Sequence, residues 1–216
     1  QYKYLSAVRL MEAAQNEQRG ESIMAYTFRG GIHPGTKNDP GFKAATNKKP
    51  IEVLKAPDKV ILPVSMHIGA PAKPLVKKGD IVNMGQMIAE AGGFVSAPVH
   101  ASVSGKVVDV VPMLHQNGSK VLSIVIENDH EDRLDESVKP KDFEAMSNDE
   151  RIQAIWDAGI VGHGGATFPT HVKIKSGIGK CDTILINGAE CEPYITSDHR
   201  LLLERPEEIV EGVRYL

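Results

Sequence analysis

Glycine and proline recur so densely between residues 60 and 127 that this stretch reads as short strands joined by tight turns. Val60-Ile61-Leu62-Pro63-Val64 opens the run. Lys78-Gly79-Asp80 sets a turn before Ile81-Val82, and Met84-Gly85-Gln86 sets another before Met87-Ile88-Ala89-Glu90. After Gly92-Gly93, Val95 to Val108 alternates small or apolar residues with polar ones at period two, and Val121 to Ile126 supplies the last strand. Such punctuation points to a small barrel or sandwich.

The pieces Val76-Lys77-Lys78-Gly79-Asp80-Ile81-Val82 with Gly85-Gln86, then Ala97-Pro98-Val99 and Val103-Ser104-Gly105-Lys106-Val107, resemble the biotinyl/lipoyl hammerhead, a barrel-sandwich hybrid. A carrier of that family needs a lysine at its hairpin tip. The tip here is Glu90-Ala91-Gly92-Gly93-Phe94-Val95, without one. The resemblance therefore implies the fold without the swinging arm, and a biotin or lipoate carrier is disfavoured. His67 and His100 have no second ligand at metal spacing and read as structural side chains, so no metal site is assigned.

The chain has 216 residues, 41% of them hydrophobic and 25% charged, which fits one or two globular domains. A net charge of −3 supplies no field that would gather nucleic acid. No run approaches the roughly 18 apolar residues of a membrane span, so membrane association is expected only through partner subunits. Cys181 and Cys191 are too few for a disulfide framework or a cysteine-ligated cluster.

Residues 1–23 are polar, and Arg19-Gly20-Glu21 can be encoded by a ribosome-binding sequence. Met24 is therefore expected as the native start, with 1–23 a non-native or disordered leader. Phe28-Arg29-Gly30-Gly31-Ile32-His33-Pro34 reads as a tight turn. Residues 24–59 form an extended N-terminal segment whose lysines, Lys37, Lys43, Lys48, Lys49, Lys55 and Lys59, are expected on a solvated face. Residues 60–127 are the hammerhead, 128–146 a charged linker, and 147–216 the start of an α/β domain. A helix capped by Ser147 or Asn148 carries Ile152, Ile155 and Trp156 on one face and ends at Gly159. Past residue 195, Thr196, Ser197 or Asp198 caps a helix, and Pro206 starts another that still runs at Leu216. The chain thus reads as a fragment of a longer one.

Chemistry concentrates in two stretches. Gly162-His163-Gly164-Gly165-Ala166-Thr167-Phe168-Pro169-Thr170-His171-Val172-Lys173 follows a helix and a short apolar step. Its glycines let backbone N–H groups approach a ligand. Pro169 starts a helix whose N-terminus favours an anion, and Lys173 stands about one turn in. The second stretch begins with Thr183-Ile184-Leu185-Ile186, which reads as a buried strand, and ends in Asn187-Gly188-Ala189-Glu190-Cys191-Glu192-Pro193. Ligands of α/β folds sit past the carboxyl ends of strands. Asn187 can hydrogen-bond a ring, and Glu190 and Glu192 can accept from sugar hydroxyls.

Gly162-x-Gly164-Gly165-Ala166-x-Phe168-Pro169-Thr170-x-x-Lys173 with Asn187-x-x-Glu190-x-Glu192-Pro193 resembles the FMN- and NADH-binding site of the complex I flavin subunit. Phe28–Pro34 and Ala189-Glu190-Cys191-Glu192-Pro193-Tyr194 make it more similar to the C subunit of the Rnf ion-translocating electron transport complex, over Tyr26 to Leu216. That resemblance implies FMN held by Gly162, Gly164, Gly165, Lys173 and Asn187, and NAD(H) near Phe168, Glu190 and Glu192. No side chain need act as a catalytic acid or base. It further implies a second domain of α/β FMN-binding type, incomplete here. It implies 4Fe-4S clusters in a missing C-terminal part and electron exchange between NADH and ferredoxin through them. The protein would sit peripherally on the cytoplasmic face of the membrane among partner subunits. Two departures from the complex I pattern, His163 for an arginine and Ala189 for an acidic residue, imply weaker flavin binding than in complex I. The alternative is a flavin-free scaffold similar to the A subunit of the sodium-translocating NADH:quinone reductase.

Overall fold

The computed structural model describes residues 34–163 and 165–216, so the proposed leader, most of the Phe28–Pro34 motif, and Gly164 lie outside the described residues. Two compact units form: Lys55–Asp182, and residues 34–54 with Thr183–Leu216.

The first unit is the barrel. Its nine-residue strand Lys120–Asn128 is central to a four-stranded antiparallel sheet. Numbering strands along the chain gives β1 Gly35–Thr36, β2 Asp39–Pro40, β3 Lys59–Pro63, β4 Lys73–Pro74, β5 Ile81–Val82, β6 Met87–Glu90, β7 Val99–His100, β8 Gly105–Leu114 and β9 Lys120–Asn128. The larger sheet runs β3-β9-β8-β5 and the smaller β4-β6-β7. One buried cluster draws Val82, Val107, Ile124 and Ile126 from the larger sheet and Ile88, Ala89 and Val99 from the smaller, so the core lies between them. Burying each large aliphatic side chain in that core is worth about 1.5–3 kcal/mol.

Within the alternating stretch Val95–Val108, only Val99–His100 and the residues from Gly105 pair. Pro98 cannot donate to a ladder. Ser96 and Ser104 turn their hydroxyls to loop partners instead, Ser96 to the Ala70 carbonyl at 2.8 Å and Ser104 to the Asp129 carboxylate at 2.7 Å. At Gly105 a Cβ would lie 2.0 Å from the Glu127 carbonyl, so only glycine lets β8 meet β9 there.

The charged stretch expected as a linker begins pinned to the barrel. Met84 and Leu134 form a parallel bridge, with Met84 N–H donating to the Arg133 carbonyl at 2.8 Å and Asp135 N–H to Met84 at 2.9 Å. Arg133 pairs with Asp129 at 2.5 Å and with Glu131. These charges neutralise one another locally, which composition cannot reveal.

Two helices complete this unit: α1 Asn148–Asp157 and α2 Thr170–Gly177. Ser147 caps α1 with a reciprocal box, its hydroxyl accepting from Glu150 N–H while the Glu150 carboxylate accepts from Ser147 N–H. Ile152, Ala154 and Ile155 are buried, and Gly159 ends the helix at φ +69°.

In the other unit, the β1–β2 turn and the segment after it hold the chain around residue 194. Phe42 stacks on Tyr194 with ring centroids 5.1 Å apart, and Tyr194 N–H donates to Gly41 at 2.8 Å. Helices α3 Ser197–Glu204 and α4 Pro206–Arg214 follow. Arg200 donates to the Asn47 carbonyl at 3.1 Å and to Glu204, which accepts from Ile51 N–H. The strand expected at Thr183–Ile186 is not formed. Ile184, Leu185 and Ile186 belong to no strand, and Leu185 is 90% exposed. An apolar run becomes a buried strand only when neighbouring strands complete its hydrogen bonds, and none among the described residues does so.

Candidate functional site

The glycine loop lies in the barrel unit between α1 and α2. Val161 and Pro169 form an antiparallel bridge at its neck, with Gly162 N–H donating to Phe168 at 2.8 Å and Thr170 N–H to Ile160 at 3.1 Å. Two of the N–H groups expected to meet a ligand therefore close the loop on itself. Donors remain at the start of α2, where His171 and Val172 N–H have no intrahelical acceptor.

The space above Gly162 belongs to Lys173. A Cβ at 162 would stand 2.9 Å from Lys173 Nζ, so the missing side chain is what lets the ammonium sit over the loop. A Cβ on Gly165 would meet nothing within 4 Å, so the loop is open there. Thr167 adopts φ +47°, a strained value for a β-branched residue. Strain, an open glycine and a lysine beside a helix N-terminus fit a bound phosphate.

Asn187, Glu190 and Glu192 lie in the other unit. Asn187 Oδ1 accepts from Ala189 N–H at 3.0 Å, an Asx turn that orients the amide. Glu190 Oε1 accepts from His199 N–H at 3.1 Å and so caps α3. Of Thr196, Ser197 and Asp198, the three residues expected to supply the cap, Thr196 stands at the N-cap without a side-chain cap bond, and its hydroxyl donates to Thr46 at 2.8 Å. Glu192 is exposed, and its carbonyl accepts from Lys43 Nζ at 3.3 Å. Lys43 also donates to the Ile195 carbonyl at 2.6 Å. It is thus a tether for the carboxylate loop rather than a solvated lysine, a role that long-range contacts alone could disclose.

Sequence reasoning also passed over His171, which is 1% exposed. Its ring stacks on Trp156, centroids 4.5 Å apart, and its Nε2–H donates to the Phe94 carbonyl at 2.9 Å. Burial holds its pKa below the usual histidine range, against the Phe94 carbonyl, so the ring is neutral and Nδ1 is its bare nitrogen. The signal available was its place two residues before Lys173. His67 donates from Nδ1 to Ile68 at 3.1 Å and accepts Ala97 N–H at Nε2, as a structural histidine does.

Similarity to known proteins fits this architecture. Residues 26–131 match the RnfC Barrel sandwich hybrid domain, and residues 155–216 match the Nuo51 FMN-binding domain. The C subunit of the Na(+)-translocating ferredoxin:NAD(+) oxidoreductase complex of Acetobacterium woodii is 50% identical over 190 residues, 87% of this chain and 42% of that protein. The C subunit of the proton-translocating complex of Clostridium ljungdahlii is 46% identical over 195 residues, 89% of this chain and 42% of that protein. This chain belongs to the RnfC family. It spans about two fifths of the length of these two relatives.

All eight positions singled out in this RnfC chain, from Gly162 to Glu192, fall inside the segment matching the FMN-binding domain. Its barrel has the hybrid fold and no carrier lysine. The β6–β7 tip, residues 91–98, instead packs under α1 and α2, where Trp156 Nε1 donates to the Ser96 carbonyl at 3.0 Å. No helix among the described residues is long and apolar enough to cross a membrane.

Proposed function

We propose that this chain is the flavin-binding part of one member of an ion-translocating complex that moves electrons between NAD(H) and ferredoxin. The observation that carries the reading is Lys173 Nζ held over Gly162 beside the start of α2. Gly162, Gly164 and Gly165 contribute no side chain at three positions of the loop. Lys173 supplies a cation for the phosphate, and the N–H groups of His171 and Val172 add donors. Asn187 is assigned to the isoalloxazine ring. Phe168, Glu190 and Glu192 are assigned to the nicotinamide nucleotide, with Lys43 holding the carboxylate loop. Bound FMN supplies the exchange between a hydride pair and single electrons. The chain's residues bind and orient, and none is needed as acid or base. Iron–sulfur clusters of the 4Fe-4S type are assigned to parts of the protein beyond these residues. The protein is placed on the cytoplasmic face of the membrane, held there by partner subunits.

The test is titration of the flavin-free full-length protein with FMN, followed by flavin fluorescence, for the wild type and Lys173→Gln. Saturable binding weakened by the substitution is expected. Absence of binding by the wild type sinks the reading. It would favour the flavin-free scaffold, which has its own supporting observation: Gly162 and Thr170 N–H groups already spent within the loop.

A further inference from the structure

The hairpin tip of a hammerhead carrier is a free end. Here the tip is gripped on both sides. Toward the barrel, Ala70 N–H donates to the Val95 carbonyl at 3.0 Å, and Ser96 Oγ bridges Gly92 N–H and the Ala70 carbonyl. The approach is so close that a Cβ on Gly92 would lie 2.0 Å from the Pro71 carbonyl. Toward the helices, two tip carbonyls two residues apart receive two ring N–H groups: Phe94 from His171, Ser96 from Trp156. The Phe94 ring stands edge-on to His171, centroids 5.6 Å apart at 90°, and to Trp156, 6.3 Å apart at 81°. Lys175 Nζ lies 5.6 Å from the Phe94 ring centre.

We infer that the hairpin tip has become the seat of the phosphate-binding helix, and that Phe94, Trp156 and His171 are positioning residues for Lys173. This inference rests on the glycine loop being the flavin phosphate site. Helix α2 has eight residues and no side-chain cap, so its own hydrogen bonds hold it poorly. His171 is the side chain of α2 that is buried. Locking one ring near the helix start fixes both the axial rotation and the height of α2. Lys173, two residues on, then has its Cα–Cβ direction set, and the Gly162 gap receives it. Both clamp bonds end on main-chain carbonyls of the tip. The length and path of the 91–98 loop therefore matter here, where a carrier needs a lysine.

The experiment uses the full-length protein with His171→Leu, which removes the N–H, and His171→Gln, whose amide can still donate to Phe94. Amide hydrogen exchange is read over residues 160–175 and over β9, beside the FMN dissociation constant. Expected for His171→Leu is exchange about tenfold faster over 160–175 with β9 unchanged, and FMN binding about tenfold weaker, the scale of one lost hydrogen bond. His171→Gln should recover most of both, which a generic packing loss would not. The inference is overturned if His171→Leu leaves exchange over 160–175 as in the wild type, if β9 exchanges faster to the same degree, or if the glutamine variant fails to recover. Should wild-type protein bind no FMN, the flavin reading falls on that result, and the exchange data still decide whether the tip seats α2.

Discussion

Two glycines three residues apart should respond differently to the same substitution, one in stability and the other in flavin affinity. Gly159 sits at φ +69°, where an L-residue pays roughly 1–2 kcal/mol. Its Cβ would also stand 2.6 Å from the Pro98 carbonyl and 3.2 Å from His100 Nδ1. The carbonyl is main chain of the barrel tip and cannot swing aside, so overpacking adds about 1–3 kcal/mol. Gly159→Ala is therefore expected to destabilise by roughly 2–5 kcal/mol. Gly162 is not left-handed, and its Cβ would meet the end of a flexible lysine at 2.9 Å, with the nearest main-chain atom, Phe168 O, at 3.5 Å. Swinging Lys173 costs little, and alanine restricts the unfolded chain, so stability should stay within about 1 kcal/mol. The ammonium is nevertheless displaced, and FMN affinity should fall about tenfold, or about 1.4 kcal/mol. Urea unfolding of full-length protein at constant m-value reads the first quantity, and flavin titration reads the second. Equal losses of stability in the two variants would refute the assignment of different neighbours. Wild-type flavin affinity in Gly162→Ala would refute the link between the Gly162 gap and the Lys173 ammonium.

Ile126 is fully buried between the sheets, so Ile126→Ala should cost about 2–5 kcal/mol in denaturant unfolding. A cost below about 1 kcal/mol would mean that the core collapses around the gap. Lys43→Met removes the donor to Glu192 and Ile195. Amide exchange over 190–196 should quicken while β8 and β9 keep their protection, and an unchanged 190–196 profile would refute the tether. Acid should weaken the barrel unit in two stages. His171 and His100 are both held below the usual histidine value, chiefly by burial. The unfolded chain then binds protons that the folded chain does not, so stability is full above a pH of about 6.5 and falls as pH drops below it. Asp129 and Glu150, lowered first by the hydroxyls of Ser104 and Ser147, add a second loss near and below a pH of about 4. His171→Gln should flatten the first stage, measured as unfolding midpoint against pH. An unaltered slope would show that His171 does not titrate on unfolding.

Much of the barrel was legible because its signals are local. Gly79 and Gly85 mark turns by positive φ, and Ser147 with Glu150 forms the box that its spacing announces. Pro206 stands at the start of α4 as its fixed φ requires. What local pattern left open turns on distant partners. Val95–Val108 has strand periodicity, but Pro98 and two serines divert it. Thr183–Ile186 has strand composition, but a strand is a property of its neighbours. Lys43 looks like any surface lysine until the chain brings Glu192 and Ile195 to it across about 150 residues.

Residue identity alone was enough to place the turns at Gly79 and Gly85, the Ser147 cap, the Pro206 helix start, a hairpin tip without a lysine and the residues of the glycine loop, because each depends on intrinsic geometry or chemistry. It took the folded chain to disclose that Gly162 makes room for Lys173, that Glu190 caps α3, and that Phe94, Trp156 and His171 clamp α2 to the hairpin tip. Those are meetings of side chains far apart in the chain. They depend on where folding closes the loops between them, which no local pattern encodes.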